Sequence, residues 1–376
     1  MLKVAIIGCG KIADSHAAQI SRIAGCELVA ACDREELMAV QLCDRFQIAQ
    51  HFTDVNALLA TVRPDVVHIT TPPQYHLQIG TRCLENGCHI LVEKPFTLHS
   101  GQASKLIELA NHKHRILTVG HDAQFSDGAC QLRKLVKEGY LGGPPVHIES
   151  YWGYDFGDAT YAKTLLADRH HWARRLPGGL IHNIISHGMA KIAEFLAGAK
   201  PRIIALGFIS PFLQSLGENS LIDELRVIIH DENDTTAYFT FSSQMSPSLH
   251  QFRIFGPENG LLLDEDKRIL IKLPGKSRKS YAEHFIPPFE FAGQYFANLR
   301  HNIKLFLKMD FHMDLGKKNL FSDFYNSIKN DAPPPIPYRE ILLTSVMMDS
   351  IFAQIDSAPA SSGKIAGGEI AAVHAM

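Results

Sequence analysis

Between residues 3 and about 121, short apolar runs alternate with longer amphipathic stretches. The runs are Lys3 to Ile7, Glu27 to Cys32, Asp65 to Thr70, His89 to Val92 and Ile116 to Gly120. The stretches between them, such as Arg34 to Phe46 and Ser100 to His114, space their apolar positions as helices do. Strands without a polar side are covered on both faces, so this grammar predicts a doubly wound parallel sheet, an α/β domain. Beyond Asp122 the pattern changes. A helical segment from Ala129 to Lys137 leads through Gly139 and Gly142-Gly143-Pro144-Pro145 into a strand-like run, His147 to Trp152. Further runs lie at Arg202 to Phe208, Leu225 to His230, Thr236 to Ser242, Gln251 to Phe255 and Ile269 to Leu273. Asp231-Glu232-Asn233-Asp234 and Pro257-Glu258-Asn259-Gly260 have the chemistry of hairpin turns. An α+β domain on a largely antiparallel sheet is therefore expected over 122–356. Its helices are expected at about Phe289 to Leu307, Asn319 to Asn330 and Arg339 to Ile355, the last after Pro333-Pro334-Pro335-Ile336-Pro337. Residues 357–376, rich in Ala, Ser and Gly, read as a flexible tail.

Composition narrows the partners. At roughly 100–200 residues per domain, a chain of 376 residues makes two domains with real cores. Lys+Arg 37 against Asp+Glu 39, and a pI near 6.8, give no whole-chain attraction for nucleic acid or an anionic membrane, so small-molecule partners are expected. No stretch approaches the roughly 18 apolar residues of a membrane span. The apolar start Val4-Ala5-Ile6-Ile7 stops at Gly8, too soon for a secretory signal. Seven cysteines (Cys9, Cys26, Cys32, Cys43, Cys83, Cys88, Cys130), odd in number and never spaced C-x-x-C, read as reduced thiols of a cytoplasmic protein without a zinc site. The 20 histidines are scattered without ligand spacing, and no metal is expected.

Four motifs carry chemistry. Gly8-Cys9-Gly10-Lys11-Ile12-Ala13 lies between an expected strand and an expected helix. The first glycine permits a tight turn, the second lets a pyrophosphate approach the backbone, and the small Ala13 lets helix pack on strand. Asp33 closes the second strand, where an acid binds a ribose 2′-hydroxyl and repels a 2′-phosphate, favouring NAD; Arg34 beside it could accept that phosphate, which leaves NADP open. Thr70-Thr71-Pro72-Pro73-Gln74-Tyr75-His76 and Glu93-Lys94-Pro95-Phe96 follow later strands, where a parallel sheet opens its crevice. Lys94, kept out of the α region by Pro95, is either aimed into that crevice or a solvated lysine before a loop. In Pro177-Gly178-Gly179-Leu180-Ile181-His182-Asn183-Ile184-Ile185-Ser186-His187, Asn183 and His187 share one helix face, and His182 and Ser186 a neighbouring one. Such a histidine is either chemical or a hydrogen-bonded core residue.

The set G-C-G-K-I-A, T-P-P-Q-Y-H, E-K-P and G-G-x-L-x-N-x-x-S-H, in this order, resembles the glucose-fructose oxidoreductase / inositol dehydrogenase (Gfo/Idh/MocA) family. The resemblance implies an N-terminal Rossmann domain (1–121) that binds NAD(P) and a C-terminal substrate-binding and oligomerisation domain (122–356), whose sheet joins subunits into a homodimer or homotetramer. It implies Lys94 and His187 as the catalytic pair, with Asn183 positioning a substrate hydroxyl where many relatives have Asp. Gly8, Gly10, Lys11, Ile12, Asp33, Arg34, Thr71, Pro72, His76, Glu93 and Lys94 would contact the cofactor, and the Lys94–Pro95 peptide would be cis. The arginine that relatives carry after the sixth strand is replaced by Gln124.

Oxidising a secondary alcohol requires a base of pKa near 7 for the hydroxyl proton, the role expected of His187. A partly desolvated Lys94 of lowered pKa would hydrogen-bond the developing alkoxide. Arg169, His171, Trp172 and Arg174-Arg175, with His182, would suit an anionic, ring-containing ligand such as a nucleotide-sugar, or form a solvated basic loop; Tyr154, Asp155 and Tyr161 would reach sugar hydroxyls. The reaction expected is hydride transfer between NAD(P) and a secondary hydroxyl of a sugar, polyol or nucleotide-sugar. A glycosidase-like use of held NAD and a non-catalytic NAD(P) sensor are the rival readings.

Overall fold

The computed structural model describes residues 1–155, 168, 171–275, 279, 281–308 and 314–357. Strands β1 (Leu2–Ile7), β2 (Cys26–Cys32), β3 (Gln50–Phe52), β4 (Val66–Ile69), β5 (His89–Val92) and β6 (Leu117–Val119) form a parallel sheet in the order β3-β2-β1-β4-β5-β6. Helices α1 (Lys11–Ile20), α2 (Glu36–Phe46), α3 (Val55–Val62), α4 (His76–Glu85) and α5 (Ser100–His112) make the crossovers. All four residues of β4 are buried, as expected for a strand covered on both faces. The strand order turns beside β1, so the loops after β1 and β4 part there and open a crevice at the strands' C-terminal ends. Edge strand β3 has no counterpart in the sequence reading. Gln50-His51-Phe52 is short and half polar because an edge strand need not be apolar, and only its pairing with β2 identifies it.

The second half contains α6 (Asp127–Lys137), β7 (His147–Asp155), α7 (Gly179–Phe195), β8 (Arg202–Phe208), α8 (Pro211–Ser215), β9 (Glu224–His230), β10 (Thr236–Ser242), β11 (Gln244–Phe255), β12 (Asn259–Asp264), β13 (Ile269–Pro274), α9 (Ala282–Leu307), α10 (Leu315–Asn330) and α11 (Tyr338–Ser357). Its sheet runs β13-β12-β11-β7-β10-β9-β8, antiparallel except where β7 and β10 pair parallel. Both expected hairpin turns form, the first with Asp234 at φ 62. Ile181, Ile185 and Met189 of α7, with Met347 and Ile351 of α11, fill the core against Val227, Phe239 and Phe252 of this sheet. A Cβ at Gly188 would stand 2.8 Å from Trp152 Nε1, so only glycine lets α7 lie this close to β7. That approach sets the height of the neighbouring His187.

Helix α10 returns to the first sheet, where Leu320, Phe321, Phe324 and Tyr325 are buried in its core. Helix α9 starts at Ala282, about two turns before the expected Phe289, with Pro287 and Pro288 inside it. A proline pair reads as a helix start because proline is tolerated in the first turn, whereas here the chain is already helical when it reaches them.

Candidate active site

A cavity of about 1160 Å³ lies at the C-terminal edge of the first sheet and is closed from the other side by the second. Its floor is the loop after β1. Gly8 has φ +99, and a Cβ there would stand 2.6 Å from Thr71 N, so this position needs glycine on both counts. A Cβ at Gly10 would meet nothing within 4 Å. Open space therefore stands over this loop at the N-terminus of α1, where free amides attract an anion, as a pyrophosphate requires. Lys11, Ile12 and Ser15 continue this wall. Asp33 Oδ2 accepts from Cys9 N (2.7 Å) and its Oδ1 from Glu35 N (3.0 Å), so the acid also clasps the glycine loop. Its carboxylate still faces the cavity with lone pairs to spare. Arg34 lies on the same wall with its side chain 78% exposed, beside Glu35 (3.6 Å). Thr71, Pro72 and Glu93 line the cavity too. These residues fit a dinucleotide.

Lys94, Asn183 and His187 converge on the cavity. Lys94 Nζ donates to Asn183 O (3.1 Å) and to Asn183 Oδ1 (3.4 Å). The Lys94–Pro95 peptide is cis, as the resemblance implied. Burial lowers the Lys94 pKa, against the pull of Glu93 and Asp122. Glu93 anchors this turn from behind. Its Oε2 accepts from Lys94 N (3.0 Å) and its Oε1 meets His16 Nε2 (2.8 Å). His16 Nδ1 meets His68 Nδ1 (2.9 Å), and His68 Nε2 meets the Tyr325 hydroxyl (3.0 Å). Burial keeps both histidines neutral. One tautomer set satisfies the whole chain, with Tyr325 donating to His68, His68 to His16 and His16 to the ionised Glu93.

His187 stacks flat on Trp152, with ring centroids 5.6 Å apart and planes 6° from parallel. Its Nδ1 is 3.6 Å from Asp122 Oδ1, and the His121 ring lies 6.0 Å away. Burial, then Lys94, His121, Lys191 and Lys317, holds its pKa well below the ordinary histidine value. This corrects the expected pKa near 7. The second sheet closes over the ring, and three lysines share its neighbourhood, both of which oppose protonation. Asp122 goes the other way, pushed up to about 7 by burial and then by Asp314. Lys317 of α10 stands 3.7 Å from Asp122 and 3.3 Å from Asp314, and donates to Ser15 Oγ (3.0 Å). Burial opposes its charge, but Asp122, Asp314 and Glu93 outweigh that and raise its pKa.

Other expected residues lie elsewhere. His76 is buried off the cavity, its ring nitrogens against Phe96 O (3.0 Å) and Thr71 O (2.7 Å), so it ties two loops together instead of facing a cofactor. His182 stacks on Phe352 (4.6 Å) and borders a separate small cavity with His121 and Ser186, because one residue step along α7 turns it away from Asn183. Trp172 and Tyr154 do line the large cavity. His171 does not; its Nδ1 accepts from Ala173 N (3.3 Å) and caps a short turn. Arg169, Tyr161 and the Asp155 side chain lie outside the described residues. Gln124 points away from the chemistry. Its Nε2 donates to Ala190 O (3.3 Å) and Glu194 Oε2 (3.2 Å), and its backbone carbonyl accepts from Arg133 (2.7 Å). Asp122, His121 and Lys317 are the neighbours that the motifs did not single out. For Asp122 the signal was its place directly after β6, and for Lys317 there was none.

Residues 2–121 match the model of an oxidoreductase family with an NAD-binding Rossmann fold, Gfo/Idh/MocA. The match covers the first domain, about a third of the chain. The D-glucoside 3-dehydrogenase of Escherichia coli (strain K12) is 35% identical over 142 residues, 38% of this chain and 40% of the enzyme. The UDP-N-acetylglucosamine 3-dehydrogenase of Acidithiobacillus ferrooxidans is 32% identical over 149 residues, 40% of this chain and 44% of that one. The match thus spans less than half the length of either relative. Over whole chains the likeness to solved structures is one of fold. The WlbA dehydrogenase of Bordetella pertussis, solved with NADH and UDP-GlcNAcA, superposes with a TM-score of 0.75 at 14% identity, covering 94% of this chain and 95% of that one. The Acidithiobacillus enzyme gives 0.70 at 19% identity, over 94% and 98%.

Proposed function

We propose that this chain is an NAD-dependent dehydrogenase that moves a hydride between nicotinamide and a secondary hydroxyl of a sugar, polyol or nucleotide-sugar. The observation that carries the reading is the convergence of Lys94, Asn183 and His187 on the cavity whose other wall is the Gly8–Gly10 loop and Asp33. When bound, the nicotinamide supplies the hydride acceptor. His187 takes the hydroxyl proton: low basicity keeps its imidazole neutral and free to accept at pH 7, and Asp122 beside Nδ1 favours the imidazolium that results. Lys94 hydrogen-bonds the oxygen as its charge grows, in a site where burial strengthens that contact. Asn183 holds Lys94 and orients a second substrate hydroxyl. Trp172 and Tyr154 offer flat walls to a sugar or base ring.

Cofactor binding is assigned to residues 1–121, and substrate binding and subunit contact to 122–356. Ile204, Leu206, Phe208, Ile228 and Tyr238 are 65, 60, 40, 48 and 48% exposed on the outer face of the second sheet, which supports a homo-oligomer formed through it. The seven unpaired thiols support a cytoplasmic setting. NADH absorbance on incubation with NAD and a panel of polyols, sugars, uronates and nucleotide-sugars tests the activity. A substrate-dependent rise with at least one of them is expected, and tighter binding of NADP than of NAD would overturn the role given to Asp33.

A further inference from the structure

His121 stands behind His187, between the cofactor cavity and the smaller one that His182 and Ser186 border. Its ring meets that of His187 edge to face, with centroids 6.0 Å apart, and it lines the small cavity as well. His121, His182 and Ser186 are 2, 1 and 1% exposed. Yet His121 Nδ1 and Nε2, His182 Nδ1 and Ser186 Oγ have no hydrogen-bond partner among the described residues. A buried polar atom left unpaired is costly, and several that line one space are satisfied together by an internal water. The cavity measures about 10 Å³, room for one. Thr344 lines it too; its hydroxyl donates to Glu340 O (2.8 Å), which leaves lone pairs that a water can use.

The same cavity reaches the surface. His99 and Asp349 line it with side chains 58 and 30% exposed and 3.5 Å apart, and Ser100 N donates to Asp349 Oδ2 (2.8 Å). On the inner side His187 Nδ1 has no hydrogen-bond partner among the described residues, since 3.6 Å to Asp122 is too long for one. Of the described residues that line the small cavity, His121 is the one whose ring meets His187. Burial holds the His121 pKa down to about 3, so the ring is neutral, with one nitrogen a donor and the other an acceptor. Such a ring takes a proton at one nitrogen and gives one up at the other. Building on the dehydrogenase reading, we propose that His121 relays the proton His187 takes from substrate to a water in the small cavity, from which it leaves beside His99 and Asp349. The His187 imidazolium breaks its Nδ1–H bond, and a His121 nitrogen gains that proton through one water bridging the two rings. The other His121 nitrogen breaks its N–H bond, and the cavity water passes that proton to solvent. No electrons move in this step, and one proton leaves for each hydride transferred.

Two measurements on the full chain test this. A crystal structure that places waters is expected to show one within hydrogen-bond distance of a His121 nitrogen and of Ser186 Oγ; a dry cavity overturns the proposal. Stopped-flow single turnovers in weak buffer follow NADH by its absorbance and the released proton by phenol red. They use NAD and the panel of polyols, sugars, uronates and nucleotide-sugars. In the wild type the two signals are expected to rise together. His121→Gln keeps a donor and an acceptor in place of the ring but cannot pass a proton between them. In this variant, with NAD affinity unchanged as the control for folding, proton release is expected to lag NADH formation by at least about tenfold. Signals that still rise together, whether at the wild-type rate or both slowed, would make His121 a packing residue and overturn the relay while leaving the dehydrogenase reading in place. No NADH from the wild type with any member of the panel would overturn that reading instead, and the relay with it.

Discussion

His187 sits where its neighbours govern its basicity. Burial and the lysines around it keep the imidazole neutral, and the carboxylate 3.6 Å from its Nδ1 is the group able to stabilise a proton on it. Asp122 carries that charge only above about 7, because its pKa is raised; below that it is neutral and cannot stabilise an imidazolium. Alcohol oxidation is therefore expected to speed up as pH rises through about 7. Asp122→Asn should flatten the step and run about tenfold slower at pH 8, the effect of one pKa unit on the base. Paired pH–rate profiles check this, and an unchanged profile in the variant would remove Asp122 from the mechanism.

Among the elements, α7 is the one on which the site depends most. The G-G pair and the helical spacing after it were readable, since helix starts and shared faces are local properties. What the spacing could not reveal is how closely α7 lies against β7. That depends on Gly188, whose Cβ would stand 2.8 Å from Trp152 Nε1. Gly188→Ala is expected to cost roughly 1–3 kcal/mol by overpacking. It should lower kcat by displacing His187 from the Trp152 ring while leaving the affinity for NAD unchanged. Thermal melts and cofactor titration together read this out, and a variant with full turnover would show that the ring's height is not critical. Strand β3 and the early start of α9 escaped the sequence for a related reason. An edge strand and a proline-bearing helix are decided by what they pair with, which for α9 is the edge of β13.

Across the whole molecule, the first sheet turns its strand order beside β1 and the second sheet closes the crevice that results. The parallel sheet, the largely antiparallel sheet and the G-x-G loop were legible because each has a periodic or backbone signature, whereas the parallel pairing of β7 with β10 was not. His76 and His182 read as cofactor and substrate contacts in the sequence, but chain direction turns them into loop and core contacts. Lys317 was invisible because α10 reaches Asp122 only after the chain has traversed the second sheet and returned. A Cβ at Gly316 would collide with the Asp122 carbonyl there, so the approach itself is specified. The central claim is that Lys94 and His187 perform the chemistry of a site whose cofactor loop binds independently of them. The direct measurement is single-turnover NADH formation, with NAD affinity, in Lys94→Ala and His187→Ala. Unchanged NAD affinity and turnover reduced by at least about a hundredfold in each variant are predicted; turnover retained in both would contradict the account.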